Sequence, residues 1–157
     1  MHVIPEARLS IQPIRAQDDT APPRSRLCTD GQPTDTIVAG AVREACVGSD
    51  GCYLLFMTDD IPFEDMLHIH LLDSEMQLIE SAAIGAPCAS GTFRSLQLGD
   101  SGAVSFEFMG GTTWTVRVWD RPRGHIPFFS DPRGVSRELR LRSRLQIDGA
   151  PVPEPAR

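Results

Sequence analysis

The chain has 157 residues and a net charge of −6, and its 41 % hydrophobic and 23 % charged residues are typical of one globular domain. No apolar run approaches the roughly 18 residues of a membrane span, and residues 1–17 carry charges and prolines where a signal peptide has an unbroken apolar segment. These features predict a soluble, cytoplasmic protein with no membrane partner.

The residue types also exclude several kinds of chemistry. All fifteen cationic residues are arginine, so no lysine is present for a Schiff base or a P-loop. The four cysteines form no CxxC pair, and we expect reduced thiols that pack as small hydrophobic side chains. No Ser/His/Asp or Cys/His order typical of a nucleophilic enzyme stands out, which favours a protein that is not an enzyme.

The charges are distributed unevenly along the chain. Residues 37–111 contain two arginines and eleven acids, whereas residues 112–157 contain nine arginines and five acids. Such a division can steer a charged partner to one end of a domain, or it can hold two halves of the same domain together. The sequence favours the second interpretation and leaves the first open.

The ends of the chain are rich in proline. Residues 1–35 hold five of the thirteen prolines, which predicts a largely disordered leader with at most one edge strand. Residues 149–157 predict a flexible tail, so the folded domain is expected to span residues 36–148.

Two hairpins are predicted in the first half of this domain. "VREACV" and "CYLLFM" flank "GSDG", and "MLHIHLL" and "MQLIES" flank "DSE". A helix beginning after Asp35 is an alternative for residues 37–46, because apolar residues recur there at helical spacing. Gly40 weakens that helix, so the strand is favoured.

Alternating patterns continue in the second half. Val104, Phe106 and Phe108 share one face of a strand, and Trp114, Val116 and Val118 share the inner face of the next, with Trp119 facing outward. In the last strand, four apolar residues at odd-numbered positions are expected to face inward: Leu139, Leu141, Leu145 and Ile147.

These patterns predict an all-β fold. Seven or eight short strands joined by short turns indicate one antiparallel β-sandwich or barrel, jelly-roll-like, with a flexible N-terminal leader. No βαβ unit and no internal repeat occurs.

A pair of histidines is the first candidate site. His68 and His70 lie two residues apart in a strand pattern and therefore share a face, which suits two ligands of one divalent ion. "HIHLLDSE" resembles the H-x-H-x(3,4)-E motif of the cupin family through His68, His70 and Glu75. This resemblance implies a metal-binding β-barrel, with Glu75 or His125 as third ligand.

The chain departs from the cupin pattern at two points. Pro62 stands where the family has a glycine, and His125 directly follows Gly124 in a segment that has no asparagine. The alternative to a metal site is two half-buried histidines on a strand, with Glu75 removed from them by a turn.

The second candidate is a proline-rich connection at residues 119–134. It combines aromatic side chains and arginines, the composition of binding hot spots, with one histidine. The candidate binding residues are Trp119, Arg121, Arg123, His125, Phe128, Phe129 and Arg133. Alternatively, this loop braces one end of the domain and buries Phe128 and Phe129.

Two charged groups complete the candidates. Arg140, Arg142 and Arg144 share a strand face and either grip an anion or pair with acids of the same domain. Asp59, Asp60, Glu64 and Asp65 either contribute to a divalent site or form a solvated turn. An acidic chain with a pI near 5.1 disfavours nucleic acid as the partner.

The sequence therefore predicts a non-enzymatic binding or interaction module. It is expected to use residues 119–134 and the nearby arginines against an acidic or anionic protein partner, without a cofactor. One alternative is a cupin-like protein that holds one divalent metal ion through His68 and His70. Another is a structural subunit of a homo-oligomer.

Overall fold

A computed structural model describes residues 1–153, and residues 154–157 of the predicted tail lie outside the described part. The described chain is all-β with three antiparallel sheets, which confirms the predicted class. Its one short helical element is a 3-10 turn at Asp100–Gly102. The chain divides into two compact units, residues 1–61 with 67–81 and residues 62–66 with 82–157. The predicted domain limits at residues 36 and 148 stay a prediction.

The first unit is built from eight strands. They are β1 (His2–Val3), β2 (Leu9–Ile14), β3 (Arg24–Thr29), β4 (Gln32–Ala39), β5 (Val42–Ser49), β6 (Cys52–Thr58), β7 (Leu67–Asp73) and β8 (Leu78–Ile84), whose last three residues belong to the second unit. One sheet has the order β2-β3-β4, and another begins β1-β5-β6-β7-β8. Strands β4 and β5 occupy residues 37–39 and 42–46, so the helical alternative is wrong.

The first 35 residues contain three strands and the start of a fourth, where the sequence predicts at most one edge strand. The prolines are compatible with this, because Pro13 lies in β2 and Pro33 in β4, the two edge strands of their sheet. Asp30 and Gly31 both have positive φ, 48° and 79°, and form the two-residue turn between β3 and β4. Asp50 and Gly51 form the same kind of turn between β5 and β6.

Replacing Gly31 with alanine tests whether the N-terminal hairpin is folded. A Cβ at Gly31 would meet no atom within 4 Å, so the substitution isolates the cost of a positive φ. We expect the free energy of unfolding to fall by about 1 kcal/mol, measured by urea denaturation. Gly124→Ala is the control, because no atom lies within 4 Å there and the φ is not positive. If both variants match the wild type, residues 1–35 do not contribute the hairpin to the folded unit.

The core of the first unit lies between its two groups of strands. Buried Leu9 and Leu27 from β2 and β3 pack in one cluster with Cys46, Leu55 and Leu72 from β5, β6 and β7. Burial raises the pKa of the Cys46 thiol to about 12, although the nearby Arg43 opposes this shift. Cys46 therefore stays protonated and packs as a small hydrophobic side chain.

The second unit contains a four-stranded sheet with the order β13-β11-β10-β9. Its strands are β9 (Arg94–Leu98), β10 (Ala103–Glu107), β11 (Thr113–Gly124) and β13 (Arg142–Asp148), while the short β12 (Val135–Arg137) pairs with residues 82–84 of β8. Val104, Phe106 and Phe108 are buried as predicted, and so are Trp114 and Val116.

Two expectations for this unit are wrong. Leu139 and Leu141 are exposed, because β13 begins only at Arg142 and strand alternation does not extend to them. Residues 119–124 belong to β11 and not to a loop, so the connection is limited to residues 125–134. A bulge between Val118 and Arg123 explains this second difference, since it accommodates Pro122 without a ladder hydrogen bond.

Candidate functional site

An exposed apolar surface in the second unit is the main candidate site. Five large side chains with exposed fractions from 64 % to 86 % form it, and we call it the 126–141 surface: Ile126, Phe128, Phe129, Leu139 and Leu141. Isolated exposed apolar residues are common, but a group of large ones marks binding sites. The prediction that these phenylalanines could be buried is therefore wrong.

The two chain segments of this surface are held together by hydrogen bonds. The amide of His125 donates to the carbonyl of Leu141 at 2.9 Å, and His125 Nδ1 lies 3.1 Å from the carbonyl oxygen of Arg140. Phe128 and Leu139 line the same groove, which has a volume of about 430 Å³. The five side chains therefore belong to one region of the unit.

The two phenylalanines sit on a compact turn. The Phe129 and Ser130 amides donate to the Ile126 carbonyl at 3.1 and 2.9 Å, and the Ile126 amide donates to Ser130 Oγ at 2.8 Å. Phe128 has a φ of 68°, which bulky side chains rarely adopt. The turn thus keeps Phe128 exposed at a cost in backbone energy, as is often seen at functional sites.

A buried polar network lies behind the turn. Arg137 donates through Nη2 to Asp131 Oδ1 and through Nη1 to Ser143 Oγ at 2.9 Å, while His125 Nε2 lies 2.9 Å from Asp131 Oδ2. The two ring nitrogens of His125 thus bridge the Arg140 carbonyl and the Asp131 carboxylate. The network connects the turn to β12 and β13. No spacing in the sequence indicated it.

Trp119 lies close to the guanidinium groups of two arginines of its own strand. The guanidinium carbon of Arg123 lies 3.3 Å from the centre of the indole ring, and that of Arg117 lies 5.4 Å away. Both are within the range of cation–π attraction. Trp119 and Arg123, predicted as binding residues, therefore also stabilise the sheet surface.

The predicted arginine stripe is partly engaged by backbone. Arg142 Nη2 donates to the Pro122 carbonyl at 3.1 Å, and Arg144 Nε donates to the Trp119 carbonyl at 2.8 Å. These bonds brace the bulged part of β11. By contrast, Arg121 and Arg133 are exposed and form no ion pair within residues 1–153. Among the arginines predicted as binding residues, they are the two most available to a partner.

The histidine pair lies in the first unit and is engaged in hydrogen bonds. His68 and His70 share a face as predicted, with ring centres 6.1 Å apart and planes at 4°. His68 Nε2 lies 2.8 Å from Asp59 Oδ1. His70 Nε2 donates to the Ala39 carbonyl at 2.8 Å, so Nδ1, 2.7 Å from Ser81 Oγ, accepts from that hydroxyl.

The environment of His70 keeps its ring neutral. Burial lowers the pKa of His70 to about 4, the hydrogen bond to Ala39 opposes this shift, and the charge of His68 adds to it. A neutral ring with both nitrogens hydrogen-bonded has no lone pair free for a metal ion. This geometry removes the support for His70 as a ligand.

The other predicted ligands are not assembled with the pair. Glu75 lies in the turn after β7, where its amide donates to Asp73 Oδ1 at 2.8 Å, and His125 belongs to the network of the second unit. Within residues 1–153, no group of three or more His, Cys, Asp or Glu side chains could hold a metal ion. Asp59 is buried against His68, apart from the exposed Asp60 and Glu64.

A cavity in the first unit was not predicted from the sequence. Its volume is about 590 Å³, and its lining includes Ile4, Tyr53 and Met76 together with the ion pair between Arg8 and Asp30. Both members of that pair are exposed, so no buried charge specifies a ligand there.

No protein-family model, curated protein or solved structure matches this chain.

Among residues 1–153, no helix is long and apolar enough to cross a membrane.

Proposed function

We propose that this chain is a non-enzymatic interaction module that binds an acidic or anionic protein partner through the 126–141 surface and adjacent arginines. The observation that carries the proposal is the exposure of five large apolar side chains on one region of the second unit. Burying each of them against a partner contributes about 1.5–3 kcal/mol. The exposed area, on the order of several hundred Å², is in the range of functional patches.

The charge around this surface supports an acidic partner. Residues 112–157 contain nine arginines and five acids, and Arg133 lines the groove beside Phe128. Arg121 is exposed on the part of β11 that leads into the turn. Apolar anchors with arginine at the rim are the composition enriched in protein interfaces.

The finer architecture and the location of the protein belong to the same proposal. Alternating burial in β13, where Ser143, Leu145 and Ile147 are buried and Gln146 is exposed, supports sheets with one covered face. Such sheets are compatible with the predicted sandwich or barrel. A cytoplasmic location and the alternative of a homo-oligomer subunit stay predictions.

Substituting Arg121 and Phe129 with alanine tests the binding surface. Both side chains are exposed, so we expect the fold to remain intact by circular dichroism. We expect the immobilised double variant to lose a protein that the wild-type chain captures from cell lysate, because truncating hot-spot residues costs about 2 kcal/mol or more. Capture by the wild type should weaken with added salt, which screens arginine pairs.

The matched control changes an exposed apolar residue and an exposed arginine elsewhere, Ile14→Ala with Arg15→Ala. This control should capture the same protein as the wild type. Equal capture by the wild type and the Arg121/Phe129 variant would remove the 126–141 surface as the binding site.

A further inference from the structure

An acidic turn elsewhere in the chain has the properties expected of a ligand for the 126–141 surface. Ile61 and Phe63 are 42 % and 81 % exposed, and both lie between acids in the segment "DDIPFED". Asp60 and Glu64, which flank them, are also exposed. Phe63 has a φ of 68°, a value that bulky residues rarely adopt.

This turn is anchored at both of its ends. At its start, buried Asp59 is hydrogen-bonded to His68 at 2.8 Å. After it, Met66 packs on Gly85 so closely that a Cβ on Gly85 would lie 2.9 Å from Met66 Cγ. The contact of Met66, three residues after Phe63, limits the conformational entropy that Phe63 would lose on binding. The hydrogen bond to Asp59 also gives His68 a structural role that needs no metal ion.

We propose that the partner of the 126–141 surface is a second copy of this chain, whose acidic turn at residues 60–65 inserts Phe63 into the groove beside Phe128 and Leu139. The inference rests on the proposed function and names its partner. Opposite charges support it: residues 60–65 carry three acids and no arginine, whereas residues 126–141 carry three arginines and two acids. Of the acids in the groove, Asp131 is paired with Arg137 and His125, and Glu138 is exposed.

Within one copy, neither surface is covered. Phe63 keeps 81 % and Phe128 84 % of its surface exposed, so each remains available to another molecule. The turn and the groove are different surfaces, so two copies can exchange turns in a two-fold dimer or the contact can continue from copy to copy. With an interface on the order of 1,000 Å² in total, the association belongs to the small, weak class, on the order of micromolar affinity or weaker.

Sedimentation velocity on the full chain tests this contact. The average mass of the wild type should rise above that of a monomer between about 10 and 500 μM, as the micromolar affinity requires, and this rise should diminish at high salt. Phe63→Ser removes the inserted side chain and Phe128→Ser removes the groove wall. Each variant alone should remain monomeric, whereas Leu98→Ser, at another exposed apolar position, should behave like the wild type.

Mixing the two variants gives the sharpest result. The Phe63→Ser copy retains a groove and the Phe128→Ser copy retains a turn, so an equimolar mixture should form a complex of two copies and nothing larger. A mixture that stays monomeric would overturn the proposal. So would a wild type that is monomeric at all concentrations.

Two charge-reversal variants test the same contact with substitutions that are not expected to disturb folding. Glu64→Arg and Arg133→Glu change exposed side chains, and each alone should weaken self-association about tenfold or more. Unchanged self-association in both would contradict the proposal. If the wild type is monomeric but the Arg121/Phe129 variant still loses a captured protein, self-association fails while the proposed function stands. If capture is also unaffected, both fail.

Discussion

Replacing Asp131 with alanine is expected to lower the free energy of unfolding by about 3–5 kcal/mol. Asp131 and Arg137 keep only 10 % and 4 % of their side-chain surface exposed, and His125 is buried on the other carboxylate oxygen. Removing the carboxylate leaves the Arg137 guanidinium buried without its counter-ion. The guanidinium would keep only neutral acceptors, Ser143 Oγ and the Leu145 carbonyl, and its Nε has no hydrogen-bond partner.

Urea denaturation measures this effect, and the same unit offers a matched control. Arg94 and Glu107 also form an ion pair, but their side chains are 70 % and 43 % exposed. Glu107→Ala should therefore cost less than about 1 kcal/mol. Replacing Asp131 and Arg137 together by leucine should recover part of the loss, because no unpaired guanidinium is then buried. Equal small effects of Asp131→Ala and Glu107→Ala would show that the network does not stabilise the fold.

The protein is expected to lose about 3 kcal/mol of stability as the pH falls from 7 to 4, through His70 alone. Burial lowers the pKa of His70 from 6.5 to about 4 in the folded chain. In the unfolded chain the ring takes up a proton near pH 6.5, so the unfolded state binds more protons between these two values. Stability therefore decreases as the pH falls through this window and, for this group, levels off below pH 4.

The difference between the wild type and His70→Gln isolates this contribution from the carboxylates that titrate over the same range. The variant should be less stable at pH 7, because its side chain must replace the bonds to Ala39 and Ser81, but its pH dependence should be shallower. His2→Gln changes an exposed histidine and should run parallel to the wild type. A His70→Gln curve parallel to the wild type from pH 7 to 4 would rule out a neutral buried His70.

Much of the fold could be predicted because its signals are local. Alternation placed Val104, Phe106 and Trp114 on buried faces, and it placed His68 and His70 on a common face. The turn at Asp50–Gly51 was also indicated by its residues. The same Asp-Gly signal occurs at residues 30–31, but the surrounding prolines predict a disordered leader, whereas in the structure Pro13 and Pro33 lie in edge strands.

The candidate site could be predicted only in part. Composition indicates Arg121, Phe128 and Phe129, but strand alternation predicts a buried face for Leu139 and Leu141, which are exposed. Side chains alternate between the two faces only inside a strand, and the residue at which β13 begins depends on its pairing with β11. Composition thus identified the segment, while pairing decided which apolar side chains remain exposed.

By itself, the sequence determined an all-β chain with two of its hairpins, an acidic stretch and an arginine-rich stretch. The alternation of apolar residues, the residue types of the turns and the charges are all properties of neighbouring residues. Only the tertiary structure decided what His70 contacts, since Ala39 and Ser81 are 31 and 11 residues away along the chain. Likewise, it alone placed Arg137 beside Asp131 and left Phe128 exposed. These outcomes depend on which strands pair and on which segments pack against each face of a sheet. The alternation of apolar and polar residues along a strand is the same whichever strand it pairs with.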